Sequence, residues 1–275
     1  MSDPRAALEA TGLLPDSEID IADAALQLAR VDAPDADWQA AKAHLSQLAR
    51  DAVALTEHVA PDDVAGQAEA LARLLGEKYG YRGDVETYDD PANANLIRVI
   101  ERRRGLPVAL GVLWLHAARA AGWSAHGVDF PGHFLLALVG RDERALLDVF
   151  GAGRQLEARD LRALAKRVEG PGAELRHGML APMGARAVLL RLQNNIKLRR
   201  LRAGDLAGGL ACTEDMLRIA PEEASQWREA AVMNQRLDHV AAALRCYARF
   251  LDLVPQGDVA DRVRAAVSEL RTRMN

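Results

Sequence analysis

The chain has 275 residues, of which 49% are hydrophobic and 27% are charged, so it can bury a core of ordinary size. A formal charge of -4 excludes an overall positive field that would attract nucleic acid or an anionic membrane. No apolar signal segment opens the sequence, and two cysteines cannot form a disulfide scaffold, so we expect a cytoplasmic protein.

Residues 1–80 have the pattern of helices separated by Asp and Pro. Apolar residues recur at helical spacing, and each segment opens at an Asp or Ser that can accept hydrogen bonds from the free amides of a first turn. The pattern predicts helices over residues 17–30, 35–58 and 62–79, packed as a bundle without chemistry of its own.

Two further helices follow a polar, turn-rich stretch. The first is predicted over residues 93–103, and we expect Gly105 to end it. Pro107 suits the first turn of the second, which is predicted over residues 107–121. Because this second helix is apolar nearly all round, we expect it to be buried on several sides, with Trp114 in the core.

Two short apolar runs, residues 133–139 and 144–150, flank a polar turn, which is the pattern of a β-hairpin. Gly140 suits the first central position of a two-residue turn, and that turn places His133 opposite Asp148. A four-residue loop with the same centre keeps this pairing. Since directly opposed residues share one face of a sheet, we predict that these two side chains touch. A short helix is predicted next, over residues 158–168.

The last third of the chain repeats with a period of 34 residues. Pro221 and Pro255 are separated by that period, and the apolar positions before them agree at the same offset. A 34-residue period closed by proline is typical of tetratricopeptide repeats, which have two antiparallel helices per unit. A generic pair of helical hairpins is the alternative. Residues 259–274 are predicted to form a capping helix.

We place a soft domain boundary near residue 180. Residues 1–180 then hold a helical N-terminal segment and the part that contains the hairpin. Residues 181–275 hold the helical repeats and their capping helix. The two cysteines, Cys212 and Cys246, occupy equivalent positions in the two repeats, which predicts buried structural thiols.

A His that faces an Asp across two strands is two thirds of a nucleophilic triad. In such a triad the Asp orients the imidazole and stabilises its protonated form. The nucleophile is expected at the exposed start of a buried helix, where the helix dipole lowers the pKa of a thiol. His133 and Asp148 are therefore the candidate residues for chemistry.

The segments RRRGLPVAL, PGHFLLAL and LLDVFGAG make the sequence similar to a bacterial family that joins a transglutaminase-like domain to tetratricopeptide repeats. Members of this family are labelled as regulators of invasion-gene expression. The resemblance covers about residues 60–260. It implies an α+β fold, mainly α with a small antiparallel β part, followed by helical repeats. It also implies that His133 and Asp148 match the His and Asp of the Cys-His-Asp enzymes, whose Cys falls near residues 106–109.

The thiol chemistry of that superfamily cannot be performed as written, because no cysteine precedes Cys212. The nearest hydroxyls in sequence, those of Thr87 and Ser124, have no predicted geometry that favours attack. Our leading interpretation is a non-catalytic adaptor or regulatory protein, whose degenerate pocket binds a peptide or amide-like ligand. A His–Asp hydrogen bond that merely pins two strands is a simpler possibility. The alternative is a hydrolase or amide-transfer enzyme that uses His133 as general base on water.

The candidate pocket residues lie in or beside these motifs: Asn95, Arg103, Gly105, Pro107, His133 and Asp148. The histidines and cysteines follow no ligand spacing, so we expect no metal and no cofactor. No DNA-binding motif is present, so we expect an unidentified protein or peptide partner that binds through the repeats, and neither nucleic acid nor membrane. The oligomeric state is left open.

Overall fold

A computed structural model describes residues 3–176 and 178–274, and its contacts divide the chain into two units. The sheet unit is Leu14–Leu192, and the repeat unit joins Met1–Leu13 to Gln193–Asn275. The chain is 62% helical, in agreement with the predicted class. The α-helices, numbered α1 to α12, are Pro4–Gly12, Ile21–Asp32, Trp38–Leu55, Val64–Leu71, Leu96–Arg102, Pro107–Ala120, Ala158–Glu169, Ala185–Arg202, Leu206–Ile219, Ala224–Arg236, Val240–Leu253 and Asp258–Met274.

Seven short strands complete the sheet unit. They are numbered β1 to β7: Arg82–Gly83, Arg104–Gly105, Ala125–Phe130, His133–Val139, Arg144–Asp148, Arg154–Leu156 and Pro182–Met183. Five of them form an antiparallel sheet in the order β6-β5-β4-β3-β7, and β1 pairs with β2 in parallel. The hairpin strands β4 and β5 were predicted, whereas the edge strands β6 and β7 are too short to give an alternating pattern.

Helix α6 is the core of the sheet unit, as its apolar composition predicts. It packs against α2, α3, β3 and β4, and Trp114 at its centre is fully buried. Gly111 lets the helix approach the sheet, because a Cβ at that position would lie 2.1 Å from the ring of Phe134. Gly153 lies in the loop between β5 and β6 and has a positive φ. A Cβ at that position would lie 2.1 Å from the ring of Trp114, so the loop can pack on α6 only without a side chain there.

The end of α5 differs from the prediction. The helix ends at Arg102, and Arg103 rather than Gly105 takes the left-handed conformation, with φ at 57°. A residue other than glycine is uncommon in that region of backbone space. Gly105 instead pairs with Gly83 in the β1–β2 ladder, and its own Cβ position is 2.9 Å from the side chain of Val99.

The hairpin between β4 and β5 is confirmed, but its predicted two-residue turn is wrong. Val139 pairs with Arg144, so the loop has four residues, 140–143. The register is shifted by two positions from the expected one, and Asp148 lies diagonal to His133 rather than opposite it. A shift of two keeps both side chains on one face, because side chains alternate along a strand with a period of two.

Several helices begin or end away from the predicted positions. The segment predicted over residues 62–79 is α4 followed by a π-helix, Ala72–Lys78. Segments of 3-10 helix, Asp16–Glu18 and Pro91–Ala94, precede α2 and α5. Helix α1, which has proline at its start and is capped by the Asp3 side chain, was not predicted.

The repeat unit contains the predicted helical hairpins. Helix α9 packs against α10, α10 against α11, and α11 against the capping helix α12. Two apolar clusters fill the spaces between these helices, and Trp227 contacts both of them. The Trp227 indole also donates a hydrogen bond to the carbonyl of Pro221, at 2.8 Å, which holds the turn between repeats. Cys212 is buried and Cys246 is half-buried.

Among residues 3–176 and 178–274, no helix is both long and apolar enough to cross a membrane.

Candidate functional site

His133 and Asp148 are brought together by the hairpin, as the sequence predicts. His133 is the first residue of β4 and Asp148 is the last residue of β5. The imidazole Nε2 lies 3.0 Å from Asp148 Oδ1 and donates a hydrogen bond to it. Both side chains are mostly buried, with 16% of the imidazole and 19% of the carboxylate exposed.

The chain after β5 turns back onto the Asp148 carboxylate. Its Oδ1 also accepts hydrogen bonds from the backbone amides of Phe150, at 3.1 Å, and Gly151, at 3.2 Å. Burial raises the pKa of Asp148, but the hydrogen bond and charge of His133 and the two amides outweigh it and hold the pKa below its usual value. Asp148 is therefore ionised at neutral pH and can only accept hydrogen bonds.

This charge state assigns the tautomer of the imidazole. An ionised carboxylate has no proton to give, so Nε2 of His133 carries the hydrogen in the bond to Asp148. The other ring nitrogen, Nδ1, is then a hydrogen-bond acceptor when the imidazole is neutral. It becomes a donor only when the imidazole is protonated.

An aromatic side chain packs against the imidazole, and a basic side chain binds the backbone of His133. The ring of Phe150 contacts the imidazole edge to face, with centroids 6.4 Å apart, and the ring of Tyr88 packs against that of Phe150, with centroids 5.9 Å apart. Arg191 of α8 donates a hydrogen bond to the His133 carbonyl, at 2.9 Å, and pairs with Asp129. Burial lowers the pKa of Arg191, and the nearby Tyr88 opposes that shift.

The place where a nucleophile is expected holds only core residues. Leu106, Pro107, Val108 and Ala109 open α6 and are buried, with at most 2% of Leu106, Val108 or Ala109 exposed. These side chains carry no thiol or hydroxyl. The start of α6 therefore contributes packing in this chain.

The two hydroxyls considered in the sequence analysis lie elsewhere. Thr87 Oγ1 donates to the carboxylate of Asp84 at 2.7 Å, which commits it to the loop before α5. Ser124 precedes β3 and lines a cavity of about 340 Å³ together with Asp16, Arg119 and His126. Neither hydroxyl has a hydrogen bond to His133 among the described residues.

Among the remaining predicted pocket residues, Asn95 makes its hydrogen bonds within α5 and with α2. Asn95 caps α5 and donates to the carbonyl of Ala29, at 3.0 Å, and to the carboxylate of Asp32, at 2.9 Å. Pro107 is buried at the start of α6. The structure thus joins His133 to Asp148. Asn95 instead caps α5 and binds α2.

Arg103 belongs to a separate polar cluster. Its Nη1 donates to His44 Nε2, at 2.9 Å, and to the hydroxyl of Tyr81, which itself donates to His44 Nε2 at 2.8 Å. Burial and the Arg103 charge lower the pKa of His44 to about 4, so this imidazole is neutral and accepts both hydrogen bonds. The cluster thus commits the Arg103 guanidinium to His44 and Tyr81.

Three neighbours of His133 were missed by sequence reasoning. Phe150 lies in a quoted motif, but only the turn after β5 brings it onto the imidazole. Tyr88 and Arg191 are more than 40 residues away in sequence and follow no recognisable spacing. The one sequence signal for these neighbours was Tyr88 itself, an aromatic residue in the turn-rich loop before α5.

Within residues 3–176 and 178–274, no group of three or more His, Cys, Asp or Glu side chains has the arrangement of a metal site.

Two protein families match successive parts of the chain. Residues 39–194, which make up more than half of the chain, match the family described as transglutaminase-like superfamily. The chain belongs to the transglutaminase-like superfamily. Residues 196–268 match the tetratricopeptide repeat family, and repeats of this type generally mediate contacts between proteins.

Proteins similar to this chain occur in bacteria and in a mammal. A UPF0162 protein of Xylella fastidiosa (strain Temecula1) is 32% identical over 73% of this chain and 73% of its own length. A UPF0162 protein of Vibrio cholerae is 28% identical over 92% of this chain and 93% of its own length. F-box only protein 21 of Mus musculus is 27% identical over 46% of this chain and 21% of its own length.

Proposed function

We propose that this protein is a non-catalytic adaptor of regulatory type, which binds a peptide or amide-like ligand at His133 and a protein partner through its repeats. The observation that carries the proposal is the buried apolar start of α6, where Leu106 and Val108 stand in place of a nucleophile. A His–Asp pair without a thiol or hydroxyl nucleophile can bind and orient a ligand, but it cannot form the thioester or ester intermediate of the Cys-His-Asp type of mechanism.

The tautomer of His133 favours an amide N–H as its ligand group. Neutral His133 presents Nδ1 as an acceptor, while Asp148 holds the ring in one orientation. Phe150 and Tyr88 supply aromatic surface, on which a planar peptide group or an apolar side chain packs. These groups together favour a peptide over a charged small molecule.

The two functions occupy the two parts of the chain. We assign the ligand pocket to residues 1–180 and the partner surface to residues 181–275. A regulatory role then acts through protein contacts rather than through DNA, and we place it in the cytoplasm. The invasion-gene label of the resembling family supports a regulatory role without naming the partner.

Affinity capture tests the proposal. Full-length protein and the His133→Ala variant are immobilised and exposed to extract of the native organism, with His126→Ala as control. His126 lies half-buried on β3, outside the site. We expect a peptide or small molecule on the wild type and the control, and its loss from His133→Ala. Protein partners should stay on all three. A bait set that retains no specific protein at any salt concentration contradicts the adaptor role.

The 3.0 Å contact between His133 and Asp148 favours one other candidate function. An imidazole oriented by a carboxylate can act as a general base on water, which would make the protein a hydrolase or amide-transfer enzyme. Such an enzyme needs donors for the developing oxyanion, and Pro107 removes one amide hydrogen at the start of α6. Turnover of amide or ester substrates that disappears in His133→Ala would support this second candidate.

A further inference from the structure

The N-terminal helix α1 docks on the repeat unit rather than on the residues that follow it. It packs against α9, which lies about 200 residues further along the chain. The contact uses Arg5, Leu8, Glu9 and Gly12, which are spaced i, i+3, i+4 and i+7. That spacing places all four on one stripe of the helix.

A buried carboxylate forms the centre of the surface that receives α1. The side chain of Asp215 is only 2% exposed, and its Oδ1 accepts hydrogen bonds from Arg5 Nε, at 3.0 Å, and Arg218 Nη1, at 2.9 Å. Arg218 Nε in turn donates to Glu9 Oε1 at 3.3 Å. A cation and an anion on α1 therefore meet an anion and a cation on α9, in complementary order.

The end of the stripe requires a residue without a side chain. A Cβ at Gly12 would lie 2.0 Å from the carbonyl oxygen of Arg218, which is a backbone atom at the end of α9. Backbone within a packed helix cannot move aside as a flexible side chain can. The surface thus constrains the residue type at four positions of the docked helix, which must be basic, apolar, acidic and glycine.

Helix α1 is held weakly. Leu8 is the one residue of α1 that is fully buried. The Arg5 and Glu9 side chains are 45% and 64% exposed, and ion pairs of such exposed groups contribute little. When α1 leaves, Arg218 stays on Asp215, so the receiving surface is not left with an unpaired buried charge.

We propose that this surface of α9 is a binding site for a helix of a partner protein, and that α1 occupies it as an intramolecular placeholder. The partner helix carries Arg, Leu, Glu and Gly at the spacing of α1. The proposal rests on the adaptor function proposed above and specifies the chemistry of its partner. Leu13, the residue after α1, is 85% exposed, so it does not anchor the helix in place. Because α1 is tethered, its effective concentration is high, and a partner must outcompete it.

A peptide-binding experiment on the full chain tests the site. The probe is a labelled helical peptide with Arg, Leu, Glu and Gly at the four positions and an Ala/Lys/Gln host elsewhere. Gly12→Val should release α1 by collision with Arg218, whereas Ala10→Val adds the same side chain on the exposed side of the helix. We expect fluorescence anisotropy to show binding to Gly12→Val at least about tenfold tighter than to Ala10→Val or wild type.

Two further variants make the result specific. Leu8→Glu should release α1 independently and expose the same site. Asp215→Asn combined with Gly12→Val should weaken peptide binding about two- to fivefold, because the half-exposed Arg of the peptide loses its charged acceptor. A scrambled peptide should not bind. Amide hydrogen exchange over residues 4–12 reports the release of α1 in each variant.

Several results would overturn the proposal. They are a released α1 without peptide binding, binding that is equal for the scrambled peptide, and α1 amides that stay protected in both release variants. A wild-type dimer held by exchanged α1 helices would make the occupant a second copy and would also overturn it. None of these results bears on ligand capture at His133, so failure of this site is distinguishable from failure of the adaptor function.

Discussion

Replacing Asp148 by alanine tests how the site is held together. The replacement removes one oxygen that accepts three hydrogen bonds, from His133 Nε2 and from the amides of Phe150 and Gly151. Each hydrogen bond to a charged acceptor contributes about 1.5–3 kcal/mol, but three bonds to one oxygen do not add fully, so we expect a loss of about 2–4 kcal/mol. Asp148→Asn keeps an acceptor for the two amides and should lose about half of that, about 1–2 kcal/mol.

Urea unfolding followed by tryptophan fluorescence measures this loss. Three of the four tryptophans, Trp38, Trp114 and Trp123, lie in the sheet unit. A Trp227→Phe background therefore makes the fluorescence specific for that unit. A change below about 0.5 kcal/mol for Asp148→Ala would refute the view that this carboxylate organises the hairpin and its turn.

The same pair of proteins gives a pH signature. The folded pKa of Asp148 lies below its ordinary value of 3.8, so its stabilisation is complete above that value. The stabilisation is lost as the pH falls through the folded pKa. The stability difference between wild type and Asp148→Asn should thus shrink as the pH falls below about 4. A difference that does not shrink in that acid range would contradict the assignment of an ionised Asp148.

Three further predictions concern the fold around the site. Trp114→Ala should cost about 3–5 kcal/mol in urea unfolding, because the ring is fully buried, and a near-neutral result would mean that the core is misplaced. Gly153→Ala should lower the melting temperature clearly, since its Cβ collides with the Trp114 ring, while Gly172→Ala meets nothing within 4 Å and should be neutral. His44, with a pKa of about 4 against 6.5 when unfolded, should make stability fall as the pH drops from about 6.5 to 4, and His44→Gln should flatten that slope.

The sequence predicted most helices but few of the strands. Helix α6 could be located because its apolar residues continue around the helix and Pro107 marks its start. Strands β6 and β7 have three and two residues, too few for an alternating pattern. Helix α1 was missed because its contact surface is one leucine and charged groups, which gives no apolar stripe.

The candidate site was only partly predictable for a similar reason. The contact between His133 and Asp148 was predicted correctly although the predicted turn was wrong. The observed register differs by two positions, and a shift of two preserves the face of each side chain. The position of Arg103 was not predictable, since its role depends on His44 and Tyr81 in distant segments. The contacts of Asn95 with Ala29 and Asp32 of α2 likewise join distant segments, so they required the packed structure.

The most direct test of the central claim is turnover by purified full-length protein. Wild type, His133→Ala and the control His126→Ala are incubated with a panel of amide and ester substrates, and product is followed by mass spectrometry. We predict the same background rate for all three proteins, because the start of α6 carries no nucleophile. Turnover by wild type and control that is lost in His133→Ala, with the fold intact, would contradict a non-catalytic site.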